Sequence, residues 1–205
     1  MMRACVAVVA AFLLAGCAAE EDLSLAPDPL GEFRLGHNIA IADDTVRGPF
    51  SREFTETQLE AAVQNAVAKR LRRYDGDGLY HLGIVVGGVV LAQPGIPVIY
   101  APSSVMLLDV TIFDNSTQQK LNEKPMRIQA GEGFKNTVPL LGSGLVRSAD
   151  QQLANLSENA ARKIEAWIRR NPELFEPKPG QVRVPYDIQT PAPDVAASEV
   201  DPDAN

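Results

Sequence analysis

Residues 80–92 read YHLGIVVGGVVLA, thirteen positions without a formal charge and four of them valine. The run is too short to cross a bilayer as a helix, which takes ~20 residues. Its valine content favours a strand. Because both alternating sets of positions are uncharged, the reading is a central strand buried on both faces, bent or bulged at Gly87-Gly88. Such a strand needs neighbours and cover, and the flanking sequence supplies both.

Upstream, Phe33, Leu35, His37, Ile39 and Ile41 alternate with Arg34, Gly36, Asn38 and Ala40. This is the period of a half-buried strand with the first set on the core face. His37 then reads as a core or edge histidine and not as a metal ligand. Between the two strands, Thr55 and Gln58 form a capping box, and Phe54 and Leu59 stand where a hydrophobic staple closes the first turn of a helix. Leu59, Val63, Ala66, Val67, Leu71 and Tyr74 make its core stripe. Lys69, Arg70, Arg72 and Arg73 fall in the last turns, where cations complement the helix dipole. Asp75-Gly76-Asp77-Gly78 starts like a calcium loop, but Leu79 and Tyr80 occupy the positions of the third ligand and the required glycine. It is therefore read as a turn.

Downstream, Gln93 to Pro97 is a turn, and Val98 to Pro102 is an apolar segment that either seals a core edge or meets a partner. Val105 to Phe113 is a strand, with Leu108, Val110 and Ile112 on one face and Leu107, Asp109, Thr111 and Phe113 on the other. The turn at Asp114 to Thr117 folds it onto a partner near Met126, Ile128 and Ala130. Gly131-Glu132-Gly133 and Gly142-Ser143-Gly144 are expected to bracket a mobile loop, with no phosphate-binding pattern in either. Ser148 and Gln151 form a second capping box. Leu153, Leu156, Ala160, Ile164, Trp167 and Ile168 follow at helical spacing until Asn171-Pro172 ends the helix, with Trp167 as a core anchor. The order of elements is that of an α+β fold, a mixed or antiparallel sheet of about four to five strands with two long amphipathic helices on one face.

The chain outside this body has a different character. Arg3 precedes the apolar run Ala4 to Ala15, and small residues lead into a cysteine, the pattern of an export signal. Leu14-Ala15-Gly16-Cys17 resembles the lipobox of bacterial lipoproteins, which implies cleavage before Cys17 and acylation of its thiol and new amino group. The expected division is a signal peptide at 1–16, a lipid-anchored tether at 17–31, a periplasmic α+β domain at 32–175 and a Pro-rich, acidic, disordered tail at 176–205. Val182 to Ile188 could lie down as a short edge strand. Ala18, standing where enteric lipoproteins carry an inner-membrane retention aspartate, favours the outer membrane, with the inner membrane as the alternative.

Chemistry-bearing residues are few. Cys5 and Cys17 are the only cysteines, so once one is cut away and the other acylated no thiol remains for a disulfide, a zinc site or a nucleophile. The net charge of -7 excludes a nucleic-acid partner. Ser103 or Ser104, His81 and Asp109 are the obvious nucleophile, base and orienting acid for an envelope hydrolase, in no supporting spacing. No catalytic, cofactor or metal residue is assigned.

The long apolar strand, the strand reaching Asp114 and the helix SADQQLANLSENAARKIEAWI, behind a lipobox, resemble small envelope lipoproteins of Gram-negative bacteria, many of unknown function. Similar layouts occur in periplasmic domains akin to the amino-terminal domain of TolB and in outer-membrane activators of cell-wall synthases. From the resemblance only the acylated Cys17 carries over; a lipid anchor, a spacer, a packed domain and an acidic tail without a reactive constellation point to a non-enzymatic interaction or assembly module, attached to membrane lipid through Cys17 and working with an envelope protein partner. An apolar-ligand-binding lipoprotein is the alternative, motivated by Val98 to Pro102 and by the loop between Gly131-Glu132-Gly133 and Gly142-Ser143-Gly144, and a hydrolase is third.

Overall fold

The computed structural model describes residues 22–94, 103–132 and 147–177. Cys17, the Val98 to Pro102 segment, the loop up to Gly144 and Val182 to Ile188 lie outside them. The elements are β1 (Phe33–Ile41), β2 (Val46–Arg47), α1 (Glu56–Leu71), β3 (Gly78–Val90), β4 (Val105–Asp114), β5 (Gln119–Lys120), β6 (Met126–Gly131) and α2 (Ala149–Arg170), closed by a 3-10 turn at Pro172–Phe175. The described residues form an α+β fold, with a mixed six-stranded sheet and two α-helices. Four strands are long. The other two have two residues each and add to the flanks.

The sheet has four lanes: β1 and β2 end to end beside β3, then β4, then β5 and β6 end to end. β1 and β2 run parallel to β3, and every other pairing is antiparallel. Parallel neighbours need a crossover connection. Here α1 supplies it, which is why the sheet is mixed.

Both capping boxes form. Thr55 and Ser148 accept from the backbone of Gln58 and Gln151, whose side chains bond back to the cap backbone. α1 buries the whole predicted stripe, Tyr74 included. α1 and α2 pack on each other and on one face of the sheet, α1 against β1 and α2 against β6. Phe33, Tyr80 and Phe175 close one end of the core. Phe33 and Tyr80 stack at 5.7 Å, and Phe175 meets them edge-on at 5.5 and 5.0 Å. Leu30 is buried as well, so packing begins just before β1. Trp167 is half-buried at the margin, and these aromatics hold the central place expected of it.

Two strands differ from expectation. β3 is buried on one face only: Tyr80, Leu82, Ile84 and Val86 are covered, while Val85 is 50% exposed. The alternation is hidden in the sequence because Gly83, Val85 and Gly87, all uncharged, fill the outer positions. Gly87 is an extra residue between the pairs Val86↔Leu108 and Gly88↔Leu107, the expected bulge. β1 contains a second bulge. Leu35 pairs with Tyr80 and Asn38 with Leu82, so Gly36 and His37 together face His81. The phase shifts by one residue. Phe33 and Leu35 point inward, then Ala40 does, and His37, Ile39 and Ile41 lie exposed.

Candidate functional site

The sheet face away from the helices is the candidate site, and the register lays it out in rows. Ile39 pairs with Gly83 and Gly83 with Thr111; Ile41 pairs with Val85, Val85 with Asp109 and Asp109 with Arg127. In the next row Val46 pairs with Gly88, Gly88 with Leu107 and Leu107 with Gln129. The apolar members are exposed: Ile39 57%, Ile41 45%, Val46 67%, Val85 50% and Leu107 43%. Single exposed apolar residues need no explanation, but a contiguous set marks a contact surface. Glycines keep the floor low between them. A Cβ on Gly87 would meet nothing closer than Leu107 O at 3.9 Å. Beyond β2, Phe50 is 85% exposed with φ +57 on a turn held by Gly48 N donating to Val89 O and Arg52 N donating to Leu91 O, both at 2.9 Å. A bulky residue in left-handed backbone is strained, and here it has no core contact to offset the strain.

The charges on this face are few. Arg127 grips Asp109 with Nε and Nη2, both donating at 2.9 Å. That bidentate bond holds the Asp109 carboxyl below its ordinary range and raises Arg127. At one end of the face His81 fills the β1 bulge. Its Nδ1 accepts from His37 N at 2.9 Å, its Nε2 lies 3.0 Å from Asn115 Oδ1, and the two imidazoles stack at 5.1 Å. The backbone donor fixes His81 with its proton on Nε2. A Cβ on Gly36 would lie 2.7 Å from the His81 ring, so the bulge requires glycine there. The sequence spacing of His37 and His81 did not suggest the pair. The usable signal was Gly36 inside a strand pattern, a common mark of a bulge.

Helix side chains bond part of each flank of the sheet. At the end of β1, Ala42 N donates to Glu60 Oε1 at 2.9 Å and Gln64 Nε2 reaches Ala40 O at 3.5 Å, while the Asn38 side chain donates through Nδ2 to the Gln64 backbone carbonyl at 2.8 Å. On β6, Lys163 Nζ donates to Gln129 O at 2.6 Å, and Asn159 Nδ2 donates to Gly131 O. Edge groups used in this way are unavailable to an added strand.

The hydrolase residues do not come together. Ser104 is buried ahead of β4, its Oγ accepting from Ala92 N at 3.0 Å and its N donating to Glu132 Oε1 at 3.1 Å. Val105 pairs with Val90 and Phe113 with His81, so Ser104, with exposed Ser103 before it, and His81 sit at opposite ends of one ladder, roughly 30 Å apart at ~3.3 Å per residue. Asp109, between them, is committed to Arg127. Those residues cannot share a proton. The apolar-ligand reading needs space between sheet and helices. There the described interface is filled by Leu59, Val63, Ile84, Leu108, Ile112, Leu156 and Ile164, all at most 1% exposed. Its two motives, Val98 to Pro102 and the loop from 133 to 144, lie outside the described residues.

One buried polar cluster escaped the sequence reading. Arg70 Nη1 donates to Glu165 Oε2 at 2.5 Å, Tyr74 OH donates to Glu165 Oε1, and Arg169 Nη2 donates to Tyr74 OH at 3.2 Å. Burial and the Glu165 carboxylate push the Tyr74 hydroxyl up to about 12. With one member set on each helix, the cluster ties α1 to α2 and faces away from the open surface. Arg70 looks in sequence like its exposed neighbours, and only the packing singles it out. Among the described residues no group of three metal-ligating side chains occurs, and no helix is long and apolar enough to cross a membrane.

No protein-family model matches the chain. No curated protein matches it in sequence. Solved structures resemble it loosely. A Xanthomonas campestris protein of the family DUF330 has a TM-score of 0.40 at 12% identity, covering 73% of this chain and 91% of its own. A Caulobacter crescentus protein described as a lipoprotein has a TM-score of 0.35 at 15% identity, with 66% and 93% covered. A Helicobacter pylori homologue of a neuraminyllactose-binding hemagglutinin has a TM-score of 0.32 at 8% identity, with 74% and 89% covered. At that distance the likeness says nothing of what this chain does.

Proposed function

We propose that the chain is a bacterial lipoprotein, cut before Cys17, acylated there and held to the outer membrane facing the periplasm, where its α+β body serves as a non-enzymatic interaction or assembly module. In this reading residues 1–16 are the signal peptide, 17–31 the tether, 32–175 the working domain and 176–205 a Pro-rich acidic tail. The anchor rests on Leu14-Ala15-Gly16-Cys17 closing an apolar run of signal length. At about 0.8 kcal/mol per buried methylene, more than one acyl chain is needed for stable attachment, and a lipoprotein cysteine carries them on both thiol and amine.

The observation that carries the module reading is the contrast within the sheet: its flanks are bonded in part to helix side chains, while its open face holds Ile39, Ile41, Val46, Val85 and Leu107. A surface of that kind serves contact with another molecule.

The test is intact mass and membrane fractionation of the full-length protein beside Cys17→Ser, followed by cross-linking in the envelope. Wild type is expected with acyl mass, in the outer-membrane fraction, cross-linked into a larger protein complex that Cys17→Ser loses. Unacylated wild-type protein released from the membrane would overturn the anchor. An anchored protein that never enters a complex would overturn the module.

A further inference from the structure

The margin of the open face that carries the apolar stripe also carries acid. Asp43 and Asp44 are exposed in the turn between Ile41 and Val46. Glu60 reaches the same margin from α1, where it accepts from Ala42 N at 2.9 Å. Of the cations of this face, Lys120 over the Phe113 ring and Arg127 on Asp109 lie on the far flank, and Arg34, at the opposite end of β1 from the acidic turn, is buried and 3.9 Å from Asp75. Arg47, next to Val46, donates to Phe54 O at 2.8 Å and lies over the Phe54 ring, turned away from the stripe.

Resting on the module reading, we propose that this margin docks an apolar segment of an envelope protein that carries lysine or arginine. Its apolar side chains sit on Ile39, Ile41, Val46, Val85 and Leu107, over the low floor at Gly83 and Gly88. Its cations meet Asp43, Asp44 and Glu60. Charge selects among the candidate occupants. An anionic bilayer surface is repelled by the same three carboxylates. A second copy brings another net charge of -7 and the same acidic margin. Strand addition is opposed by the bonded groups of the β1 edge. A basic, apolar segment meets no such objection.

The experiment uses the full-length lipoprotein in its native cell, with a photo-cross-linking residue placed in turn at Ile39, Val85 and Leu107, and at Arg162, an exposed residue of α2. The three face positions are expected to give a protein adduct that Arg162 does not, and the cross-linked peptide is expected to be apolar with lysine or arginine. Asp43→Lys with Asp44→Lys in the same chain is expected to lower the adduct yield about fivefold, the size of two exposed charge contacts, with the thermal melt unchanged. A protein adduct from Arg162 alone would overturn this surface and leave the module reading standing. Adducts to lipid, adducts only to a second copy, or a yield indifferent to the charge reversal would also overturn it. No protein adduct from any position would overturn both readings.

Discussion

Ile84 and Val85 are neighbours on β3, with 0% and 50% of their surfaces exposed. One lies under two helices and the other faces outward. The covered face is large, branched and aromatic, and the charged cluster between its helices is bonded together at Glu165. On the open face small residues alternate with aliphatic ones, and its charges are a surface ion pair and an acidic margin. Burial dictates the first composition, because each covered position contributes to stability through the area it removes from water. Stability does not explain the second: exposed isoleucine and valine on a strand contribute little to the fold, and an aggregation hazard is the usual result. The difference separates residues that hold the protein together from residues available for contact.

The sharpest way to break that division is to attack the covered side. Glu165→Ala leaves Arg70 buried without its carboxylate and Tyr74 without its acceptor, and should cost about 3–5 kcal/mol in denaturant unfolding. A loss under about 1 kcal/mol would mean that the cluster is open to water. Next, Ile84→Ala should cost about 3 kcal/mol and Val85→Ala no more than about 0.5 kcal/mol. Equal costs would erase the contrast between the faces.

A smaller effect sharpens the comparison through pH. Tyr74 is neutral in the fold and its hydroxyl is pushed up to about 12, against ~10 unfolded. Its contribution is complete below ~10 and is lost as pH rises through about 12, so wild type should weaken over that window by about 2 kcal/mol more than Tyr74→Phe. Parallel alkaline limbs would show the hydroxyl to be uninvolved. The smallest effect belongs to the open face. The Asp109 carboxyl, held low by Arg127, contributes above its unfolded value of ~3.9 and ceases to as pH falls through its lowered folded value. Asp109→Asn should cost under about 1 kcal/mol at neutral pH and make the acid limb shallower.

Sequence reasoning recovered whatever is written locally. Thr55 with Gln58 and Ser148 with Gln151 announce helix starts because a cap and its partner are three residues apart in any context. The four long strands and the Gly87 bulge follow from periodicity and composition. The failures are failures of phase and distance. In β1 a single bulge residue turned Ile39 and Ile41 outward, a one-residue matter that alternation cannot register when small Ala40 and Ala42 are also apolar. In β3 glycine passed for buried surface. Arg70 and Glu165, like His37 and His81, are far apart in the chain, and only tertiary packing joins them. The hydrolase trio failed for the converse reason: residue types alone do not shorten a ladder with Ser104 at one end and His81 at the other.

The most direct test of the central claim, that the open face is the working surface, is thiol reactivity at Ile39→Cys, Val85→Cys and Leu107→Cys, each in the full-length lipoprotein. Maleimide labelling would be timed in the purified protein and in the intact envelope, with Lys69→Cys on the helical side as control. The account predicts rapid labelling of all four purified variants and, in the envelope, several-fold slowing at the three face positions alone. Equal rates in both settings, or slowing at Lys69→Cys and not on the face, would contradict it.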